Sequence, residues 1–176
     1  MVDNPVETRK VARAIILVAI GVALSPFTSI PIGVAKINPT QHFVNVIGAV
    51  LLGPWWATGV ALIIAILRNA LGTGTLLAFP GGMIGAFLAG VVYRYSKSIY
   101  LGALGEIVGT GLIGAVASAL IVAPAFMGKT MAMAGLVFAF SGSTLVGSII
   151  GVLALKLLQR AGFVEPNRKG TKGGTT

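Results

Sequence analysis

The polar chemistry of this chain gathers in one short run. Pro39-Thr40-Gln41-His42-Phe43-Val44-Asn45 stands at the mouth of an apolar segment and carries the single histidine of the sequence. If the run opens a helix, Gln41 and Asn45 are related as i, i+4 and His42 and Asn45 as i, i+3, which puts amide and imidazole groups on neighbouring faces. Such groups beside a membrane-grade apolar stretch are costly unless they meet a partner, a ligand or water. We read them as one wall of a small-molecule site. The plainer alternative is that His42 and Asn45 cap a helix or bond loop carbonyls.

Arg68 closes another apolar segment, in Arg68-Asn69-Ala70-Leu71-Gly72-Thr73-Gly74. An arginine there either snorkels to headgroups or turns inward and organises a pocket with its planar donors. Glu106 is the only acid between Glu7 and Glu165 and has Thr110 on its helical face. An acid inside a membrane segment is a functional candidate, and pairing with arginine, contact with a ligand and a place near the inner interface all stay open for it. In an outer-half pocket, Gln41, His42 and Asn45 face Arg68, Asn69 and Thr73, with Phe79 and first-loop residues as an apolar lid. Glu106 and Ser141 complete the candidate substrate-binding set, and Ser143 offers a further hydroxyl.

Catalysis is poorly supplied: one histidine, no cysteine and one membrane acid, with no metal-ligand cluster of the usual spacing. We therefore expect no enzyme, cofactor or metal; the competing enzyme reading requires His42, Arg68 and Glu106 to converge in a reactive geometry. Ala123-Pro124-Ala125-Phe126-Met127-Gly128-Lys129-Thr130 fits a relaxed phosphate-loop pattern. It lacks the preceding strand such a loop needs, so ATP-driven work must come from a partner.

The elements that hold these residues follow from composition. Of 176 residues, 56% are hydrophobic and 10% charged, 25 are glycine, and mean hydropathy is +0.96. A soluble domain of this length needs more charge to cover its surface, whereas glycine-rich helices suit close packing in lipid. The net charge of +9 sits beside apolar segments, where it sets topology rather than marking a nucleic-acid partner. Six spans are expected, from about 11 to 24, 41 to 52, 57 to 71, 79 to 94, 99 to 122 and 133 to 158, the first closing at Ser25-Pro26 and the fifth at Pro124. A long outer loop follows the first span, and Trp55 and Trp56 anchor an interface. The N-terminal span reads as retained rather than cleaved, because it is longer than a signal core and lacks a clear cleavage site. The fold class is thus an all-α integral-membrane six-helix bundle over residues 1–163, with a disordered cytoplasmic tail from 164 to 176. With the N-terminus inside, ten of the thirteen basic residues lie on the inner side and Lys36, Arg68 and Lys129 on the outer. Both termini are then cytoplasmic. Small-residue ridges (Gly81, Gly85, Ala89; Gly82, Ala86, Gly90; Gly105/Gly109; Gly147/Gly151) read as helix-packing faces. No internal repeat points to an inverted-repeat transporter.

Leu24-Ser-Pro-Phe27, Pro31-Ile-Gly-Val-Ala-Lys36, Pro39-Thr-Gln-His-Phe-Val-Asn-Val46, Leu51-Leu-Gly-Pro54, Arg68-Asn69 and Ala78-Phe-Pro-Gly81 together resemble the ThiW family of substrate-binding (S) components of energy-coupling factor transporters. The resemblance covers most of the first half in order and spacing; the second half matches in hydropathy. It implies a six-helix membrane subunit that captures a thiamine precursor, the hydroxyethylthiazole moiety, from the outer face. It also implies a transmembrane coupling subunit and two cytoplasmic ATPases as partners. Such subunits dock through an Ala-x-x-x-Ala pattern in the first helix, a spacing that Ala19 and Ala23 have here; the customary position nearer the helix start reads Ile15 and Ala19. A small uncharged aromatic alcohol needs an apolar slot with a few placed hydrogen-bond partners, which Gln41, His42, Asn45 and a stacking Phe79 offer. Alternatives are an S component for hydroxymethylpyrimidine or thiamine, and a membrane scaffold or facilitator whose polar ends serve packing.

Overall fold

In the computed structural model, which describes residues 5–33 and 35–163, six helices form. They are α1 (Pro5–Thr28), α2 (Pro39–Leu52), α3 (Pro54–Ala70), α4 (Ala78–Ser96), α5 (Ile99–Met127) and α6 (Met133–Arg160). Three of them, α1, α5 and α6, are long and apolar enough to cross a membrane. The tail expected from 164 to 176 lies outside the described residues.

Two helices run past the prolines expected to end them. Pro26 falls in the last turn of α1, where Ser29 N–H still reaches the Ser25 carbonyl at 2.9 Å and Ser25 Oγ donates to the Gly21 carbonyl. Pro124 lies in the first turn of a short α-helical segment, Ala123–Met127, that follows a π-helical one, Ser118–Val122. A proline inside a helix leaves a carbonyl about one turn earlier without its N–H, and the widened π-helical turn before Pro124 lies where that happens. A second π-helical segment, Gly109–Gly114, also interrupts α5.

The first connection is not the plain loop expected. Ile30–Ile32 (β1) pairs antiparallel with Ala35–Ile37 (β2), in the register Ile30 with Ile37, Pro31 with Lys36 and Ile32 with Ala35. Asn38 roots the hairpin: its Oδ1 takes Gln41 N–H (3.2 Å), and the two protons of its Nδ2 are shared among the Ser25 carbonyl (3.4 Å), Ser25 Oγ (3.2 Å) and Ser29 Oγ (3.0 Å). One side chain thereby starts α2 and ties it to the end of α1.

Helix α2, 14 residues and about 21 Å long, sits among α1, α3, α4 and α6 with ten of its residues buried. Helix α4 uses its two small-residue ridges on different neighbours. Gly85 and Gly81 lie against Gly109 and Gly114 of α5 so closely that a Cβ at either α5 glycine strikes α4 backbone. Gly90 receives Pro54 of α3 in the same way. Gly147 and Gly151 of α6 admit α2 at Pro39, His42, Phe43 and Val46. These ridges are internal packing surfaces, as their spacing suggested. One apolar core, from Leu17 through Val44, Val46, Ile47 and Ile64 to Leu155, fills the half of the bundle away from the hairpin.

Candidate functional site

The polar groups named from sequence meet beneath the hairpin, where α2 and α4 begin and α3 ends. Gln41, His42 and Asn45 are 4%, 7% and 1% exposed, so the first turns of α2 bring their polar groups into the protein and not to solvent. Capping does not account for them, because Asn38 supplies the cap.

Glu106 is the centre of the arrangement, with no exposed surface. Its Oε1 lies 2.9 Å from His42 Nδ1, 3.1 Å from Asn45 Nδ2 and 2.9 Å from Thr110 Oγ1. Asn45 Nδ2 also donates to the Gly82 carbonyl at 3.0 Å, and Gln41 Nε2 donates to Asn45 Oδ1 at 3.2 Å. Thr110 Oγ1 stands 2.9 Å from the Gly81 carbonyl as well; its single proton serves one of its two acceptors at a time. The π-helical segment starting at Gly109 carries Thr110, and widened turns of this kind recur at functional sites. Gly85 makes the space: a Cβ there would fall 2.5 Å from Glu106 Oε2 and 2.8 Å from its Cδ. Among the described residues Glu106 is the only hydrogen-bond partner of the His42 ring. An Nδ1–H pointed at the carboxylate leaves Nε2 of a neutral imidazole as an acceptor.

Arg68 does not snorkel. It is 1% exposed, and its Nη2 donates to the Thr73 carbonyl at 3.1 Å and reaches Ser29 Oγ at 3.5 Å. Ser29 Oγ donates to the same Thr73 carbonyl (2.9 Å), and Lys36 Nζ donates to the Gly72 carbonyl. Together these bonds stitch the hairpin to the α3–α4 connection.

Between the hairpin and the network lies a cavity of about 20 Å³, room for about one water. Its wall comes from six elements: Lys36 and Ile37 of β2, Gln41 and His42 of α2, Arg68 of α3, Ala78, Gly81 and Gly82 of α4, Thr110 of α5, and Phe140 and Ser143 of α6, with Asn38 between. Of the residues proposed from sequence, Gln41, His42 and Arg68 are on this wall, and Asn45 and Glu106 stand behind it, holding His42 and Gln41. Asn69, Thr73, Phe79 and Ser141 are not wall residues. Asn69 Nδ2 pins the α3–α4 connection through the Ala65 (2.8 Å) and Thr75 (3.3 Å) carbonyls, and Ser141 Oγ donates to the Gly111 carbonyl (3.3 Å). Phe79 is half-buried in the first turn of α4; the aromatic ring at the wall is Phe140. Phe140 went unnoticed because a phenylalanine in an apolar span has no distinguishing mark. Thr110 had one, as a hydroxyl one helical turn from Glu106, and Ser143 was marked only as a hydroxyl early in its span.

Gln41 Oε1, Arg68 Nε and Ser143 Oγ on wall residues, Glu106 Oε2 behind the wall, and Thr144 Oγ1 and Ser148 Oγ further along α6 are buried without a protein hydrogen-bond partner. Buried polar atoms are otherwise almost always bonded. Three of these atoms belong to residues of one small cavity and come from three helices.

On α1, Ala19 and Ala23 are exposed together with Ile15, so this stripe faces away from the bundle. The phosphate-loop-like segment is the last turn of α5 and the turn after it, with a helix and not a strand before it.

A family model described as thiamine-precursor transporter protein (ThiW) matches residues 11–161. No curated protein and no solved structure matches.

Proposed function

The chain belongs to the ThiW family of thiamine-precursor transporter proteins, and from that premise we propose that it is the capture subunit for the hydroxyethylthiazole moiety in an energy-coupling factor transporter. A transporter protein, and not an enzyme, is what this family contains. In this reading all six helices cross the bilayer, and the hairpin end with its cavity faces outward, following the ten-to-three distribution of basic residues.

The observation that carries the ligand reading is that three residues of one small wall, Gln41, Arg68 and Ser143, each keep a buried polar atom without a protein partner, beside the apolar Ile37, Ala78 and Phe140. A thiazole alcohol has a flat aromatic body, a ring nitrogen that accepts and a hydroxyl that both donates and accepts. Gln41 Oε1 accepts from the hydroxyl, Arg68 Nε donates to an acceptor and Ser143 Oγ does either. Phe140 offers its ring, and His42, fixed by Glu106, presents Nε2. The cavity is too small for that molecule as it stands, so capture requires the hairpin to lift. The Lys36–Gly72 and Ser29–Thr73 bonds are the ones that must yield.

Energy for delivery comes from a coupling subunit and two ATPases. The outward stripe of Ala19 and Ala23 is the docking surface, its small side chains allowing close helix approach.

Calorimetry on the purified protein without ATP tests the ligand reading. Saturable binding of hydroxyethylthiazole, with hydroxymethylpyrimidine and thiamine failing to compete, is the expected result. Binding of the pyrimidine with no heat from the thiazole would overturn it.

A further inference from the structure

The opposite end of the bundle has its own depression, of about 380 Å³, between the α2–α3 turn and the end of α4. Its floor is apolar, with Val50, Leu52 and Pro54, and Trp55, Trp56 and Tyr93 form part of its edge. Lys10 of α1, Arg94 of α4 and Lys97 just after α4 also line it, and no carboxylate does. Glu7 holds Lys10 from outside the depression, at 3.2 Å. Arg94 and Lys97 are exposed and make no side-chain hydrogen bond or ion pair among the described residues.

A helix start adds to the positive potential there. Helix α3 starts at this depression, and its cap residue, Gly53, offers no side chain to its first N–H groups. Lys97 has φ of 55°, the left-handed conformation in which glycine usually ends a helix. A lysine thus occupies a position where the backbone favours a residue without a Cβ.

We infer that this depression binds the phosphate headgroup of an acidic phospholipid, with Arg94, Lys97 and Lys10 around the phosphate and the glycerol end over Val50, Leu52 and the tryptophans. A soluble phosphate would use the cations but has no use for the apolar floor. Tryptophans at the rim are the usual companions of a lipid at the membrane–water boundary. Basic pockets between membrane helices recognise such headgroups. This site is separate from the cavity beneath the hairpin, and its failure would leave the ligand reading untouched.

The test titrates the full-length detergent-purified protein with short-chain phosphatidylglycerol or phosphatidylcholine and counts bound lipid by native mass spectrometry. Wild type is expected to bind phosphatidylglycerol in preference. Arg94→Gln/Lys97→Gln should weaken that binding by about 30-fold, from about 1 kcal/mol per basic residue. Lys97→Gly, which suits the backbone and removes the charge, should weaken it while keeping the fold. Lys156→Gln/Arg160→Gln removes equal charge at the same end of the bundle and should change it by less than about twofold on this reading. Equal loss in both double variants would reduce the effect to general surface charge. Equal binding of the two lipids would overturn the proposal. So would full displacement of the lipid by millimolar inorganic phosphate, which would make this a soluble-anion site.

Discussion

Replacing Glu106 with alanine is the sharpest test of the network under the hairpin. The substitution removes one oxygen that three side chains approach at 2.9–3.1 Å. Its consequences are unequal. Asn45 keeps the Gly82 carbonyl and Thr110 keeps the Gly81 carbonyl, whereas His42 loses its one partner among the described residues. In water-soluble proteins a hydrogen bond to a charged group contributes about 1.5–3 kcal/mol. Inside a membrane the unfolded reference also finds partners, and measured couplings average about 0.6 with a maximum near 1.7 kcal/mol. A 2.9 Å contact between a histidine and a carboxylate with no exposed surface belongs near the upper end of that range, so we expect a His42–Glu106 coupling of about 1–1.7 kcal/mol. The assay is a double-mutant cycle with His42→Ala, Glu106→Ala and the pair, read by equilibrium unfolding in mixed micelles. Hydroxyethylthiazole affinity, measured on the same proteins, should fall about tenfold in Glu106→Ala, equivalent to about 1.4 kcal/mol. Additive stabilities within about 0.3 kcal/mol, together with unchanged affinity, would refute the idea that Glu106 orients His42.

Gly85→Ala should destabilise by about 1–3 kcal/mol, because its Cβ runs into the pinned Glu106 carboxylate. Gly59→Ala, where nothing lies within 4 Å of the added carbon, should not destabilise, and a thermal melt of the two separates packing from helix propensity. Ser143→Ala should weaken ligand binding several-fold with a stability change under about 0.5 kcal/mol, since its buried hydroxyl has no protein partner to lose; unchanged calorimetric affinity would remove Ser143 from the site. Ala23→Trp should abolish uptake by the assembled transporter and leave binding by the isolated subunit intact, and normal uptake would rule out the α1 stripe as the docking face. Lys36→Ala should speed ligand entry, measured as the association rate, by loosening the tie to Gly72.

The membrane class was readable directly, because hydropathy is a property of composition and needs no partner to express it. The helix count came with it, since each apolar run ends at turn residues. The starting turns of α2 and α4 were legible for the same reason. Boundaries at Pro26 and Pro124 were not: whether a proline ends a helix depends on which turn it occupies and on what satisfies the carbonyl it abandons. The hairpin was also invisible, as three-residue strands carry too little periodicity to separate them from a loop.

For the site, residue type identified Gln41, His42, Asn45, Arg68 and Glu106 as groups that must find partners, because burying such atoms unbonded is expensive. Which partners they find is a matter of distance across helices, and only packing decides that. The sequence left Glu106 open between a ligand, an arginine and an interface; the fold brings it 2.9 Å from an imidazole 64 positions earlier in the chain. It does so because Gly85, Gly109 and Gly114 let α4 and α5 close to backbone contact, while α2 settles against Gly147 and Gly151. Asn69, Thr73 and Phe79 were near the right place in sequence yet turn to the connection between α3 and α4 or stay off the cavity wall, and Phe140 arrives from a distant helix. Chemistry was written in the residue types; its address is set by how closely glycine-faced helices approach.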